Sequence, residues 1–328
     1  MNPKISVITT VFNCESYIEQ SVRSILDQTF HDFEYIIIND GSTDRTSEIL
    51  NRLSSLDKRI KLTDRKKNTG RVKSLNEALD KATGEFIAIQ DADDVSFSER
   101  LEKQVTFLKM NKDYVLVGAN IIVIDEFENF ISNPRRPLND SEAKFSLLFR
   151  CTFANPSLMF RKQIIIDNNI KYEDHFIHAE DFRIISLISR YGKVQNIEDP
   201  LVKYRKHAYN NSTLNFDVLN NGSILIAKDN LSKLGIRITD DQVFRIRNLI
   251  SSRGINKEFL YKDVKILFQA IKAFQLSYCP GRNSEILHTL RRMLRWLGKK
   301  NIFSRYKYFR LYLIILFYYY KETIFNRN

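Results

Sequence analysis

Over the first half of the chain, β-branched runs alternate with apolar positions at helical spacing. Ile5 to Thr10 has strand character, and Ile18, Val22, Ile25 and Leu26 then recur three and four residues apart. EYIIIND, Glu34 to Asp40, reads as a buried strand closed by the turn sequence GSTD, after which Ile49, Leu50, Leu53 and Leu56 mark a second amphipathic helix. RIKLT predicts a short strand. Leu75, Leu79 and Ala82 line one side of a helix through SLNEALDKA, which Gly84 is expected to stop before the apolar run Phe86 to Ile89. Ser96 and Glu99 have the spacing of a capping box for a helix with Leu101, Val105 and Leu108 inward, and YVLVG and NIIVID follow as two further strands. Such alternation predicts an α/β fold with a mostly parallel central sheet flanked by helices. Ligands of these sheets sit beyond the carboxyl ends of the strands. Thr10 with Phe12 and Asn13, Asn39 with Asp40, and Asp91 with Asp93 are therefore expected to converge on one edge.

The stretch EFIAIQDADDVSF puts Asp91, Asp93 and Asp94 directly after a strand. Like charges this close repel, which suggests a cation, a shared proton or solvent exposure. In an extended segment Asp91 and Asp93 point the same way, and a hard cation such as Mg²⁺ or Mn²⁺ would bind there through oxygen while keeping positions open for a diphosphate. The alternative is a solvated acidic turn that caps the next helix. Neither GxGxxG nor GxxxxGK[ST] occurs, so the phosphate-cradling loops of Rossmann dinucleotide sites and P-loop enzymes are missing.

Composition narrows the partners. The chain has 328 residues, 43% of them hydrophobic, and a formal net charge of +12, which favours phosphates, nucleic acid or an anionic membrane surface. None of the recognisable nucleic-acid-binding modules appears, and strand-end carboxylates repel phosphate unless a metal intervenes, so nucleic acid is not expected as a partner. Cys14, Cys151 and Cys279 lie far apart without a CxxC pair, against a zinc site or a disulfide framework and in keeping with a reducing cytosol. MNPKISVITTVFN runs straight into a strand and lacks the features of a secretory signal, so the expected location is cytoplasmic.

ISVITTVFNCESYIEQSVRSILDQTFHDFEYIIINDGSTDRTSEIL, followed by GEFIAIQDADD, resembles the family 2 glycosyltransferases, enzymes of the GT-A fold that use nucleotide-activated sugars. The resemblance covers the first two-thirds of the chain, giving an expected catalytic domain over 1–215 and a helical region over 216–328. It implies that Thr10 and Asp40, with Phe12 beside them, hold the nucleobase, usually uracil. By the same resemblance Asp91 contacts the ribose side and Asp93 binds a divalent cation, Mn²⁺ or Mg²⁺, that bridges the donor diphosphate. NTGRVKSLNEAL looks like the stretch that brings Asn68, Gly70, Arg71 and Lys73 near the nucleotide, the ordinary alternative for the basic pair being surface exposure. A nucleotidyltransferase making sugar nucleotides shares these requirements but would show a Gly-rich basic loop where this chain has TTVFNCESY. A non-catalytic binding or scaffold protein of the same fold would be suggested by loss of Asp93 or Asp181, and both are present.

HFIHAEDFRIISLISRYGK places Glu180 and Asp181 just before a helix, where acids also favour the partial positive charge of the N-terminus. In inverting family 2 enzymes the second acid of such a pair is the general base, so the resemblance assigns that role to Asp181 and a positioning role to Glu180. It also brings His207, in VKYRKHAYNNST, toward the metal or diphosphate, against a surface histidine in a basic loop. His178 is either at the acceptor site or structural, and FANPSLMFRK looks like the acceptor-side strand, with Asn155 and Pro156 shaping its turn. The implied partners are a nucleotide-sugar donor, a UDP-sugar by preference, and a glycan or lipid-linked acceptor of bacterial surface polysaccharide.

Beyond residue 215 helical periodicity takes over, as in FLYKDVKILFQAIKAF and EILHTLRRMLRWLGKK. Between 291 and 310 stand Arg291, Arg292, Arg295, Lys299, Lys300, Arg305, Lys307 and Arg310 with no acid among them, and LYLIILFYYY follows. That run is short of the roughly 20 residues needed to cross a bilayer. It suits a helix lying at an anionic membrane surface on the inner face of the cell membrane; the alternatives are docking on the protein's own core or on a second subunit of a homo-oligomer.

Overall fold

The computed structural model describes residues 2–208, 210, 214–250, 261–278, 286–291, 294 and 306–320. Cys279 and the basic residues Arg292, Arg295, Lys299, Lys300 and Arg305 lie outside the described residues. The chain divides into two compact units, residues 1–139 with 151–222 and residues 140–150 with 223–328.

The first unit begins β1 (Ile5–Val11), α1 (Ile18–Leu26), β2 (Phe33–Asn39), α2 (Thr46–Leu56), β3 (Ile60–Asp64), α3 (Arg71–Lys81) and β4 (Phe86–Ile89). The four strands pair in parallel in the order β3-β2-β1-β4, with Val11 opposite Asn39 and Ile8 opposite Ile89. Their carboxyl ends therefore share one edge. Burial on both faces explains the unbroken apolar runs: Ile5, Val7, Tyr35, Ile37, Phe86 and Ala88 join Val22, Ile25, Leu50, Leu101 and Val105 in one core.

Beyond β4 the sheet becomes mixed. β5 (Val95–Ser96), α4 (Arg100–Met110), β6 (Tyr114–Ile124), β7 (Phe130–Ser132), β8 (Met159–Arg161), α6 (Lys162–Asp167), α7 (Glu180–Ile188) and β9 (Lys193–Arg205) complete the unit. β8 lies antiparallel between β4 and β6, β9 runs parallel to β6, and β5 and β7 pair antiparallel at the periphery.

Several local expectations are corrected. YVLVG and NIIVID form the single strand β6, bent by register shifts about Asn120, which faces Pro200 of β9. Proline cannot donate to the ladder, so the pairing breaks there instead of ending. Ser96 and Glu99 make no capping box: α4 begins at Arg100 without a side-chain cap, and the Ser96 hydroxyl bonds the Gln90 amide oxygen instead. α3 ends at Lys81, with Ala82 already extended, so Gly84 is not its stop. A Cβ on Gly84 would lie 2.6 Å from the Ser6 nitrogen, and its role is the close approach of the chain to β1.

Behind the functional edge lies Arg100, fully buried. Its Nε donates to Gln104 Oε1 (3.1 Å), Nη1 to Gln90 Oε1 and Ser96 Oγ (2.9 Å each), and Nη2 to the carbonyls of Ile89 (2.7 Å) and Leu158 (3.3 Å). Every donor of the guanidinium is met by a neutral acceptor, and burial lowers its pKa to about 10. One side chain thus ties the end of β4 to β5, α4 and the segment entering β8.

The helical unit comprises α5 (Asp140–Leu147), most of α8 (Phe216–Ser232), α9 (Asp240–Ile250), α10 (Tyr261–Tyr278) and α11 (Tyr306–Tyr320). Its core gathers Phe145, Phe149, Leu231, Ile246, Leu267, Ile271, Phe274, Leu290 and Ile315. Arg245 and the fully buried Asp263 pair at 2.7 Å within it.

Arg100→Met keeps the apolar stem but strands buried carbonyls and amides at about 1–3 kcal/mol each. The expected result is destabilisation by about 3 kcal/mol or more, seen by differential scanning calorimetry as a fall of roughly 6–12 °C in the catalytic unit's melting temperature. An unchanged melting temperature would show that water replaces the lost donors.

Candidate active site

Each candidate residue stands at a strand end or a helix start. Thr10 is buried in β1, and Phe12, half exposed, follows the strand. The buried Asp40, one residue past β2, accepts hydrogen bonds from Arg65 Nη1 (2.7 Å), the Thr69 N–H (3.0 Å) and hydroxyl (2.9 Å), and the Gly70 N–H (2.8 Å). Burial alone would raise its carboxyl, but these donors together hold it below the ordinary value. Asp40 thereby fixes the loop that opens α3. Gly41 packs against that loop with φ +75°, where a Cβ would lie 2.5 Å from the Asn68 nitrogen. Gly70 (φ 101°) is the residue before α3, Asn68 Oδ1 accepts its N–H, and Asn68 and Lys73 are both exposed.

Arg71 leaves the helix start in the opposite sense to Lys73. Its Nη2 donates to Asp91 Oδ1 at 2.8 Å and its Nε to Glu180 Oε1 at 2.9 Å, joining the end of β4 to the first turn of α7. Burial works against its charge, but Asp91 and then Glu180 outweigh it and raise the guanidinium's pKa. Asn155, in the 3-10 turn Asn155–Ser157, donates to the same Asp91 oxygen at 2.9 Å. Burial still raises the Asp91 carboxyl, against Arg71 and with the repulsion of Asp93 adding to it.

The segment 91–94 is a turn and not the extended strand expected, since the Asp94 N–H donates to the Asp91 carbonyl (3.4 Å). The three acids consequently separate. Asp94 is 1% exposed: Oδ1 accepts the Arg205 N–H (2.7 Å), Oδ2 has no protein partner, and burial followed by Asp93 and Asp91 raises its carboxyl well above the ordinary value. It belongs to the scaffold rather than to a cation platform. Asp93 Oδ2 faces His207 Nε2 at 3.0 Å and takes Asn210 Nδ2 at 3.3 Å, while the His207 ring lies 5.1 Å from Tyr17. The Arg205 guanidinium holds the Asp93 carbonyl from behind (3.0 Å).

Arg71, Asp91, Asp93, Asn155, Glu180 and Asp181 all line one cleft of about 500 Å³, with His178, Arg136, Lys206 and Asn210 around it and an apolar wall of Ile121, Val123 and Phe153. Thr10, Phe12, Asp40, Asn68, Gly70 and Lys73 do not line it. Glu180 is 7% exposed, and its Oε2 is buried without a protein partner. Asp181 accepts the N–H of Phe182 at 2.6 Å. Its carboxyl is pushed up to about 7, first by burial and next by the charge of Glu180. Asn210 and Lys206 escaped the sequence reading, although both neighbour His207. Asn155, which the sequence marks only as a turn former, is in the fold a donor to Asp91.

Among the described residues no cluster of three or more His, Cys, Asp and Glu side chains could enclose a metal ion. Asp93 and His207 do suit a cation that uses one or two protein ligands and takes its remaining oxygens from a bound phosphate.

The family model for glycosyl transferase family 2 matches residues 6–176. An uncharacterized glycosyltransferase of Haemophilus influenzae is 32% identical over 275 residues, spanning 79% of this chain and 85% of that one. The O-antigen biosynthesis glycosyltransferase WbnJ of Escherichia coli is 35% identical over 208 residues, 62% of this chain and 80% of WbnJ. Among solved structures, S. aureus TarS in complex with UDP-GlcNAc superposes with a TM-score of 0.61 at 19% identity, covering 95% of this chain and 90% of that one. The mannosyltransferase PcManGT of Pyrobaculum calidifontis, in complex with GDP-Man and Mn2+, gives 0.54 at 16%, with 100% and 89% covered. These last two likenesses are of fold.

A carboxyl whose folded pKa exceeds its unfolded value costs stability once the unfolded state ionises first. For Asp181 the cost grows between pH 4 and 7 and is constant above. Asp181→Asn is therefore expected to stabilise the protein at pH 8, by up to about 4 kcal/mol, and to leave it unchanged near pH 4. Urea unfolding at the two pH values reads this directly, and equal effects at both would contradict a raised carboxyl.

Proposed function

Given that this chain belongs to glycosyl transferase family 2, we propose that it is an inverting enzyme that moves a sugar from a nucleotide donor to a hydroxyl of a glycan or lipid-linked acceptor. The donor is a UDP-sugar, the transferred group a hexose or N-acetylhexosamine, and the product a bacterial surface polysaccharide. The relationship to WbnJ and the likeness to TarS bound to UDP-GlcNAc support this choice of donor and pathway. The reaction takes place on the cytoplasmic side, at the inner face of the cell membrane. The observation that carries the reading is the raised Asp181 carboxyl beside the Arg71-bridged Asp91 and Glu180, in one cleft.

The acceptor hydroxyl lies against Asp181, which takes its proton as the oxygen forms a bond to the anomeric carbon. The bond from that carbon to the phosphate oxygen breaks on the opposite face, and the nucleoside diphosphate departs with the electron pair. Asp91, fixed by Arg71 and Asn155, orients the ribose side of the nucleotide. Thr10, Phe12 and Asp40, with the loop Asn68–Gly70 that Asp40 fixes, form the base side, and Lys73 stands beside it. Asp93 and His207 would hold a divalent cation, which when bound supplies counter-charge for the leaving diphosphate. Glu180 keeps Arg71 charged and, through that pair, positions the site around the sugar.

A base with pKa near 7 works only when ionised. kcat/KM should rise about tenfold per pH unit below 7 and level off above it, provided Asp181 is the group that limits the free enzyme. Asp181→Asn should retain UDP binding in a calorimetric titration while turnover falls on the order of a thousandfold or more. Normal turnover in that variant would remove Asp181 from the base role. Asp93→Ala should abolish the Mn²⁺ dependence of UDP binding, and UDP binding equally tight with and without Mn²⁺ in the unaltered protein would exclude the cation site.

A further inference from the structure

The last described helix, α11 (Tyr306–Tyr320), is apolar on two sides that meet different surroundings. On one, Ile315 is fully buried, and Tyr312, Tyr318 and Tyr319 pack on the core of the helical unit. The Tyr318 ring stands 5.2 Å from Phe268 edge to face, and its hydroxyl donates to Gln275 Oε1 of α10. On the other, Leu313, Ile314 and Phe317 are 46%, 41% and 73% exposed, at the i, i+1 and i+4 spacing of one helix face. Docking on the protein's own core and an exposed apolar surface are thus both realised, by opposite sides of the same helix.

Three considerations choose the occupant of the exposed face. The sequence from Ile286 to Tyr320 carries Arg291, Arg292, Arg295, Lys299, Lys300, Arg305, Lys307 and Arg310 without one aspartate or glutamate. That block repels a second copy of itself and complements an anionic lipid surface. A helix of 15 residues is also too short to cross a bilayer, and among the described residues no helix is long and apolar enough to do so. Finally, the inner side of α11 is already committed to protein, so the helix must lie flat with its outer side at the interface.

We propose that Leu313, Ile314 and Phe317 form the contact by which this protein sits on an anionic lipid bilayer, entering the headgroup boundary, with the acid-free basic sequence that leads into α11 supplying the attraction to the lipid charge. The surface shares no residue with the candidate active-site cleft, and the proposal stands whether or not the proposed transfer reaction is right.

The test uses the full chain and its Leu313→Gln/Ile314→Gln/Phe317→Gln variant, co-sedimented with phosphatidylglycerol vesicles and with phosphatidylcholine vesicles. The unaltered protein should bind the anionic vesicles, more weakly as salt rises, and the variant should bind them at least about tenfold less tightly. UDP affinity and melting temperature should be the same in both proteins, since the three side chains leave the core untouched. Equal binding of variant and parent, or equal binding of the parent to both lipids, would overturn the proposal. So would light scattering that finds a dimer in the parent and a monomer in the variant, which would make the face a contact between copies. Failure of UDP to bind either protein would bear on the catalytic reading alone.

Discussion

One guanidinium holds the candidate site together. Asp91 and Glu180 are far apart in the sequence, carried by different elements, and the half-buried carboxylate of the first would repel the buried one of the second across the cleft. Arg71 lies between them within 2.9 Å of both. Two carboxylates around one cation leave a net negative cluster, tolerable in a low dielectric only because the fork geometry makes a separate short hydrogen bond to each. Lysine, a point charge on a flexible stem, could not offer two fixed directions at once. The start of α3 must therefore be placed accurately, and the network of Asp40, Arg65, Thr69 and Gly70 does that placing. Asp40, expected at the nucleobase, is in the folded chain the support of the loop from which Arg71 bridges Asp91 and Glu180.

The turn after β4 shows the same economy of charge. Three aspartates within four positions are kept by giving each a different environment: Asp91 to Arg71 and Asn155, Asp93 to His207 and Asn210, and Asp94 to the interior against the backbone of Arg205. Two arginines stand behind the turn, Arg205 on the Asp93 carbonyl and Arg100 on the carbonyl of Ile89. They fix the backbone without neutralising the carboxylates that face the cleft, so rigidity and negative potential are supplied by separate groups.

Much of this was legible in the sequence, and the limits have physical causes. Parallel strands buried on both faces must be apolar throughout, which made β1, β2 and β4 and their common edge readable from Ile5–Thr10, Glu34–Asp40 and Phe86–Ile89. The mixed half was less legible: β6 looks like two strands because its register shifts where it meets Pro200, and the three-residue β8 is expected only through the resemblance. Asp91, Asp93, Glu180 and Asp181 carried recognisable spacing. The contacts that set their properties did not: Arg71 is expected near the nucleotide only through the resemblance, and its bridge from Asp91 to Glu180, like the meetings of Asn155 with Asp91 and Asn210 with Asp93, arises only in the tertiary fold. α11 left docking and exposure open because both of its sides are apolar, and periodicity cannot say which side is covered.

The two acids at the start of α7 show how the fold separates like residues into different roles. Both stand in the first turn, where the helix's partial positive charge favours ionised carboxylates equally. Glu180 reaches Arg71 and becomes part of the fixed charge of the site. Asp181, one residue on, takes the backbone N–H of Phe182 in place of a cation, and the ionised neighbour makes its own ionisation harder. Adjacent carboxylates whose surroundings push their proton affinities apart are how acid–base roles are divided between residues of the same chemistry. Here burial first, and the charge of Glu180 second, raise the Asp181 carboxyl against the opposing pull of Arg71, to a proton affinity suited to accepting a proton near neutral pH.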